Sequence, residues 1–328
     1  MLNKSIKEIG EKELIKRISK YMPNQQTSDD CAFLSTSNKN LLINTDLMVE
    51  NTHFNKKIIS PRDLGWKSVA TNYSDLISSG CNKNIGISIG LVLKPSTKWC
   101  WVQDLYEGIN DALNKFGGYI LGGDCSKGNN TVIAINAMGI QSDLKLRRYA
   151  CKPEEVLLTT GLHGLSKLGF LIQSEQINRE KIKLSEKLIQ RSISAFCRPE
   201  PKSDILKKLM RSNKGYKINE IGCTDSSDGF YQAILDLATE SNCKAIIDYT
   251  KIPKSDYWPE GYEWDNYYFF GGEDYELLFS LPKNWADELL KIDRNIKIIG
   301  YFAEGNPSVE IKNCPNTDFL EANSFIHF

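Results

Sequence analysis

Between Ile85 and Leu93 the large apolar residues Ile85, Ile87, Ile89, Leu91 and Leu93 alternate with Gly86, Ser88, Gly90 and Val92. A strict period of two suits a strand and no helix. The heavy face needs a core to pack on, while the Gly and Ser of the light face let another body come close. A chain with such a strand has to build a layered sheet, and mixed α+β layering with open faces is the architecture expected.

The neighbouring patterns supply the other layers. Leu41 to Asp46 reads as a strand running from apolar residues into a carboxylate. A helix opens at Ser60-Pro61-Arg62-Asp63, where Ser caps, Pro fits the first turn and the acid follows three residues on. Its Trp66, Val69, Ala70, Tyr73, Leu76 and Ile77 keep a 3.6 period, and Gly80 suits its end. A second helix over about 98–116 carries Val102, Leu105, Ile109, Ala112, Leu113 and Phe116 in register, and strands follow near 118–122 and 131–140. Residues 1–20 read as a further short helix, closed by Pro23.

Near residue 150 the pattern restarts. A strand at 156–161 enters the Gly-rich turn GLHGLSKLG. Helices are expected at 164–174, 184–196, 203–213 and 229–241, and another begins at 283. Strands are expected at 216–223, in CKAIID, in the segment FFGGEDYELLFSLP and in IKIIGYF, whereas 251–268 shows no assignable period. The fold class is therefore α+β with two mixed α/β domains, 1–147 and 148–305, and a tail over 306–328.

Composition removes several function classes. The 328 residues hold 41 Lys plus Arg against 41 Asp plus Glu, so no global field draws the chain onto nucleic acid. No apolar run approaches the roughly 20 residues that cross a bilayer. The start, MLNKSIKEIGEKELIKR, lacks an apolar signal core, and the expected location is the cytoplasm. Nine cysteines without C-x-x-C spacing argue against a disulfide framework or a zinc ribbon. With three histidines in all, any metal ligands should be oxygens. There is no G-x-x-x-x-G-K-[ST], no H-R-D and no D-F-G, which excludes a P-loop and the protein-kinase set.

The acids fall in a telling way. Asp29 and Asp30, Asp46, Asp124, Asp225 and Asp228, and Glu273 and Asp274 stand in or beside turns at the ends of apolar stretches, in TSDDCA, NTD, LGGDCS, CTDSSDG and FGGEDYE. Asp75, in NYSDLISSG, joins them from a helix. Any one of these motifs is ordinary turn or cap chemistry. Together, with almost no His, they suit hard-oxygen ligation of Mg²⁺ beside substrate phosphates. Several carboxylates in one cleft repel one another without cations, which implies several metal ions.

Read in order, SDDCA (28–32), NTD (44–46), His53-Phe54, NYSDLISSG (72–80), GGD (122–124), Arg148 before a Lys-Pro turn, SDG (227–229) and GGEDYELLF (271–279) resemble the thiamine-monophosphate kinase family. That family is related to aminoimidazole ribonucleotide synthetase and selenophosphate synthetase, and the resemblance runs from about residue 10 to 305. It implies transfer of the γ-phosphoryl group of ATP to thiamine phosphate. By position it assigns Asp30, Asn44, Thr45, Asp46, Asp75, Asp124, Asp225 and Asp228 as Mg²⁺ ligands. Gly123, Asp124, Arg148 and Ser227 match ATP-site positions, and His53, Glu273 and Phe325 match substrate contacts. It also implies a homodimer whose N-terminal sheets pair edge to edge, with ATP near that interface.

Departures from the family pattern touch backbone shape more than ligands: Ser28 and Asn51 replace Gly, Ser78-Ser79-Gly80 replaces small-Met-Gly, DSSDGF replaces DISDGL, and Glu154-Glu155 replaces Gly-Asp. No general base is expected, because a phosphate monoester with a second pKa near 6 is already mostly ionised at neutral pH. Two other readings stay open: a related ATP-dependent synthetase acting on another acceptor, and a non-enzymatic Ca²⁺-binding protein. His53 and GGEDYEL favour the kinase, and the lack of a D-x-[DN]-x-[DN]-G loop counts against the Ca²⁺ protein.

Overall fold

The computed structural model describes residues 13–17, 29–36, 39–177, 182 and 184–315. Of the helix expected over 1–20, residues 13–17 are helical and the rest lies outside the described residues, as do Ser28 and Phe325.

The first half runs β1 (Ala32–Ser35), β2 (Asn40–Val49), α1 (Pro61–Ser78), β3 (Cys81–Leu93), α2 (Trp99–Phe116), β4 (Tyr119–Lys127) and β5 (Val132–Gln141). Its sheet has the order β1-β2-β5-β3-β4, antiparallel except for the parallel β3–β4 pair. On β3 the heavy residues Ile87, Ile89 and Leu91 are fully covered, and Ser88 and Gly90 opposite them are only half-buried. Helices α1 and α2 pack on each other, and α1 lies across β2, β5 and β3. Ser60 caps α1 by accepting from the Asp63 amide, and Pro61 opens the helix. The other sheet face is bare enough to leave Leu34 and Leu47 about half exposed.

The second half contains β6 (Lys145–Arg147), β7 (Val156–Thr159), α3 (Leu165–Gln173), α4 (Glu186–Cys197), α5 (Ile205–Ser212), β8 (Glu220–Asp225), α6 (Phe230–Glu240), β9 (Lys244–Asp248), α7 (Tyr262–Phe270), β10 (Leu277–Leu281), α8 (Lys283–Ile292), β11 (Lys297–Ala303) and β12 (Ser308–Lys312). The seven strands order as β12-β9-β11-β7-β10-β8-β6. Apolar clusters cover both faces of this sheet, which is why β7 and β10 are buried throughout and mostly apolar, broken only by Thr159 and Ser280.

The second sheet reaches further along the chain than the expected limits of 148 and 305. Strand β6 pairs with β8, and β12 pairs with β9, so its strands span 145 to 312. Both are short edge strands of mixed polarity, too brief to show a period. Residues 251–268 prove to hold the start of α7, whose Trp264, Asp265, Tyr268 and Phe269 are buried. An acid among the buried positions and tyrosines on both sides blur its helical stripe.

Helix α1 joins the halves. Its apolar residues Val69, Ala70, Tyr73 and Leu76 fill the first core, yet Lys67, Asn72, Ser74 and Ser78 are buried as well. Lys67 and Ser74 reach residues of the second half, where α1 meets β8 and α4, while Asn72 bonds to β2 and Ser78 to Asp30.

Candidate active site

Three of the expected acids converge. Carboxylate oxygens of Asp30, Asp75 and Asp225 all lie within 4.8 Å of one another. Asp30 precedes β1, Asp75 lies on α1, and Asp225 ends β8, so the group is assembled from both halves of the chain.

The hydroxyls of α1 organise it. Ser78 donates to Asp30 Oδ2 at 2.6 Å, and Ser74 donates to Asp225 Oδ2. Asn44 donates its amide to Asp75 Oδ2 at 2.9 Å, and its own Oδ1 is buried without a partner. Asn72 Oδ1 receives the backbone amide of Asp46 at 3.2 Å and so fixes β2 against the helix. On the far side Ser227 spends its hydroxyl on Asp225 Oδ1, at 2.8 Å.

Burial and crowding shift these carboxylates upward. Burial, then the charge of Asp30, pushes Asp225 up to about 7. Burial, then Asp228 and Asp30, pushes Asp46 up to about 6, which places those two acids beside the group. Asp75 rises well above the carboxylate range, through burial first and then Asp46, Asp225 and Asp30. Asp29 is pushed up to about 7 by burial and then Asp30, against the pull of Arg147, whose guanidinium lies 3.7 Å from its Oδ2.

Arg148 supplies positive charge. Its guanidinium pairs with Asp30 and donates through Nε to Thr224 Oγ1 at 3.1 Å. Burial works against its charge, but Asp30, Asp236, Asp225 and Asp75 outweigh that and hold it protonated. Arg147 pairs with Asp29 at 3.7 Å, which leaves Arg148 as the guanidinium at the converging acids, too little charge for this many carboxylates. The donor set is all hard oxygen and includes the Asn44 Oδ1 that lacks a hydrogen bond, so it fits divalent cations such as Mg²⁺.

Two expected ligands do not join the group. Thr45 lies between Asn44 and Asp46 on β2, and a strand cannot turn three consecutive side chains to one face. Its side chain is exposed on the other face, where Thr45 Oγ1 accepts from Asn136 Nδ2 at 2.8 Å. Asp124 sits on β4, the sheet edge, opposite Gly90 and exposed. Gly123 beside it packs against β3 so closely that a Cβ would lie 2.0 Å from Ile89 O.

The substrate-contact positions fall on two turns. His53 follows β2, and its Nδ1 accepts from the Val49 amide at 3.1 Å. Glu273 lies in a turn where Gly272, at φ +69°, abuts Ser227 O; a Cβ there would come within 2.8 Å. The Glu273 amide donates to that same carbonyl at 2.7 Å. Asp274, next in the motif, is a cap: it accepts from the Gly164 and Ser166 amides at 2.7 and 2.9 Å and so closes the Gly-rich turn before α3. None of the converging acids lines the cavity of about 610 Å³ beside Thr160, Lys202 and Glu276. There the Glu276 carboxylate is already engaged by Thr160 and Lys202.

Sequence reasoning missed Lys67, Asn72, Ser74, Ser78 and Thr224. The signal was present in α1, where Lys67, Thr71, Ser74 and Ser78 recur at helical spacing as a polar stripe opposite the apolar one.

Residues 28–141 match the N-terminal domain of AIR synthase related proteins, and residues 152–312 match the C-terminal domain. The thiamine-monophosphate kinase of Prochlorococcus marinus is 41% identical over 98% of this chain and 96% of its own. The chain belongs to the thiamine-monophosphate kinase family. Among solved structures of the family, AaThiL complexed with AMPPCP and TMP superposes with a TM-score of 0.84 at 26% identity, covering all of both chains. The thiamine monophosphate kinase of Aquifex aeolicus superposes at 0.78, with 25% identity over 94% of this chain and 98% of that one. Among the described residues, no helix is long and apolar enough to cross a membrane.

Proposed function

We propose that this protein is a cytoplasmic, Mg²⁺-dependent kinase that transfers the γ-phosphoryl group of ATP to thiamine phosphate, giving thiamine diphosphate and ADP. The observation that carries the reading is the convergence of Asp30, Asp75 and Asp225 from both halves of the chain. The choice of acceptor is supported by the relatives named thiamine-monophosphate kinase and by the AaThiL complex with AMPPCP and TMP.

The reaction asks for charge control rather than proton removal. The acceptor phosphate is mostly dianionic at neutral pH, so bringing it to a second polyanion is the obstacle. Mg²⁺, when bound, neutralises phosphate charge at the site. Asp30, Asp46, Asp75, Asp225 and Asp228, with Asn44 Oδ1, would hold it. Arg148 offers a guanidinium fork to phosphate oxygens. Ser227 and Ser74 keep Asp225 oriented from opposite sides. His53 and Glu273 receive the organic part of the acceptor, and the family resemblance adds Phe325 as a further substrate contact.

Gly123 and Asp124 belong to the ATP site of a homodimer. Strand β4 is an edge strand exposed along its whole length, with Tyr119 at 77% and Leu121 at 48% exposure. An unpaired apolar edge of this kind is suited to a second copy.

Incubation with ATP, Mg²⁺ and thiamine phosphate, followed by chromatography of thiamine species, tests the reading. Thiamine diphosphate and ADP are expected in equal amounts. Retained ATP binding without thiamine diphosphate would transfer the fold to another acceptor.

A further inference from the structure

Lys67 is 2% exposed, in the middle of α1 and between the two halves of the molecule. Its ammonium meets Glu273 Oε2 at 2.9 Å and sits 4.2 Å above the ring of Phe196. Burying a lysine is costly, and a buried ion pair is commonly no more stabilising than an apolar pair of the same volume. Its presence therefore calls for an explanation in what it does to Glu273.

The two partners are unequally hidden. The Lys67 side chain is enclosed, whereas that of Glu273 is 37% exposed. One carboxylate oxygen is held from inside, and Oε1 makes no hydrogen bond among the described residues. Glu273 also stands at φ +59° and Tyr275 at φ +52°, a left-handed backbone that surrounding contacts must maintain. One turn along α1, Thr71 Oγ1 meets the Tyr275 hydroxyl at 3.1 Å in the same register. Helix α1 thus grips the Gly271–Tyr275 turn through two successive residues of its polar stripe, and it leaves the Glu273 carboxylate partly exposed, with Lys167 as a second nearby cation.

We infer that Lys67 is a positioning residue for the acceptor: it fixes Glu273 so that Oε1 is presented to the cationic, amine-bearing organic part of thiamine phosphate. The inference rests on the proposed acceptor and on Glu273 touching it. Lys67 itself touches neither substrate. Its effect belongs to the acceptor's KM and not to ATP.

Steady-state kinetics of Lys67→Met, Lys67→Gln, Glu273→Gln and the Lys67→Met/Glu273→Gln double variant test this in the full chain. Lys67→Met should raise the KM for thiamine phosphate about tenfold, the scale of one charge-assisted hydrogen bond, and move the KM for ATP less than about twofold. Lys67→Gln, which keeps a donor without the charge, should fall between, and it serves if the Met variant does not fold. The double variant should match Glu273→Gln alone. An equal rise in both KM values, or full additivity in the double variant, overturns the positioning role and leaves Lys67 a structural residue. A wild type that binds ATP but makes no thiamine diphosphate overturns the acceptor reading beneath it, whereas wild-type turnover with an unmoved acceptor KM in Lys67→Met overturns this inference alone.

Discussion

Asn44 gives its side-chain amide to Asp75 across 2.9 Å and keeps its own carbonyl oxygen buried with no hydrogen-bond partner. Leaving such an atom unpaired costs about 1–3 kcal/mol, so the geometry favours a cation at that oxygen. Asn44→Ala should raise the Mg²⁺ concentration for half-maximal activity by about tenfold, a typical loss for one weakened metal contact. The KM for thiamine phosphate should hardly change. A Mg²⁺ titration at saturating ATP checks this; an unchanged midpoint would remove Asn44 from the metal site.

Asp46 and Asp228 crowd the same group from opposite halves of the chain. Asp46→Asn and Asp228→Asn should each lower turnover by about 100-fold or more, since electrostatic groups at phosphoryl transfer are worth several kcal/mol. Neither should unfold the protein, because each substitution relieves repulsion. Thermal melts without metal should give midpoints at or above wild type. Near-normal turnover in both variants would mean that the metal site has been misplaced.

The raised carboxylates predict how metal-free stability varies with pH. Asp29 and Asp225 titrate at about 7 and Asp46 at about 6 in the folded state, with burial the first cause in each. The same groups titrate near ~3.9 when unfolded. Between about pH 4 and 7 the folded chain therefore holds more protons than the unfolded one, and stability falls as pH rises through that window. Mg²⁺ replaces the protons, so it should raise the melting midpoint more at about pH 8 than at about pH 5.5. Scanning calorimetry with chelator and with Mg²⁺ distinguishes this from a pH-independent shift, which would contradict it.

Much of this was legible in the chain, for physical reasons. The β3 alternation and the apolar stripe of α1 are strong because each has a single covered face, and Ile87 and Val69 occupy the positions their periods require. Asp30, Asp75 and Asp225 were readable as acids but not as neighbours, since their contact depends on how two sheets sit on either side of α1. The side chain of Thr45 lies on the opposite face from Asn44 and Asp46, which order in a motif does not show because it says nothing of pleat. The polar stripe of α1 was hidden by the usual equation of polar with solvent-facing; here it faces another half of the same protein.

One departure from the family pattern has a measurable cost. Glu154, where the family resemblance leads one to expect Gly, holds φ +70° and is exposed, and its amide donates to Phe302 O at 2.8 Å. A left-handed backbone costs a residue with a Cβ about 1–2 kcal/mol, and Gly returns up to about 1 kcal/mol in unfolded-state entropy. Glu154→Gly should therefore stabilise the protein by about 0.5–1 kcal/mol and leave activity unchanged. Chemical denaturation measures the difference. A destabilised variant would show that the Glu154 side chain makes up for its backbone strain.

Asp124 supplies the sharpest test of the assembled enzyme. Three strand intervals separate β4 from β2, so Asp124 stands roughly 14 Å across the sheet from the strand that carries Asn44 and Asp46. A single chain does not bring it to the acids, while a second copy paired along β4 could do so. Each site of a two-fold dimer would then take Asp75 from one chain and Asp124 from the other. Asp75→Asn and Asp124→Asn should each be nearly inactive alone. Co-expressed in equal amounts, they should regain about a quarter of wild-type activity, because half the dimers are mixed and each mixed dimer keeps one intact site. Leu121→Lys, on the exposed edge, should shift the sedimentation coefficient from dimer to monomer and abolish the rescue. Co-expressed variants that stay inactive, or a wild type that sediments as a monomer at micromolar concentration, would return Asp124 to an ordinary surface acid.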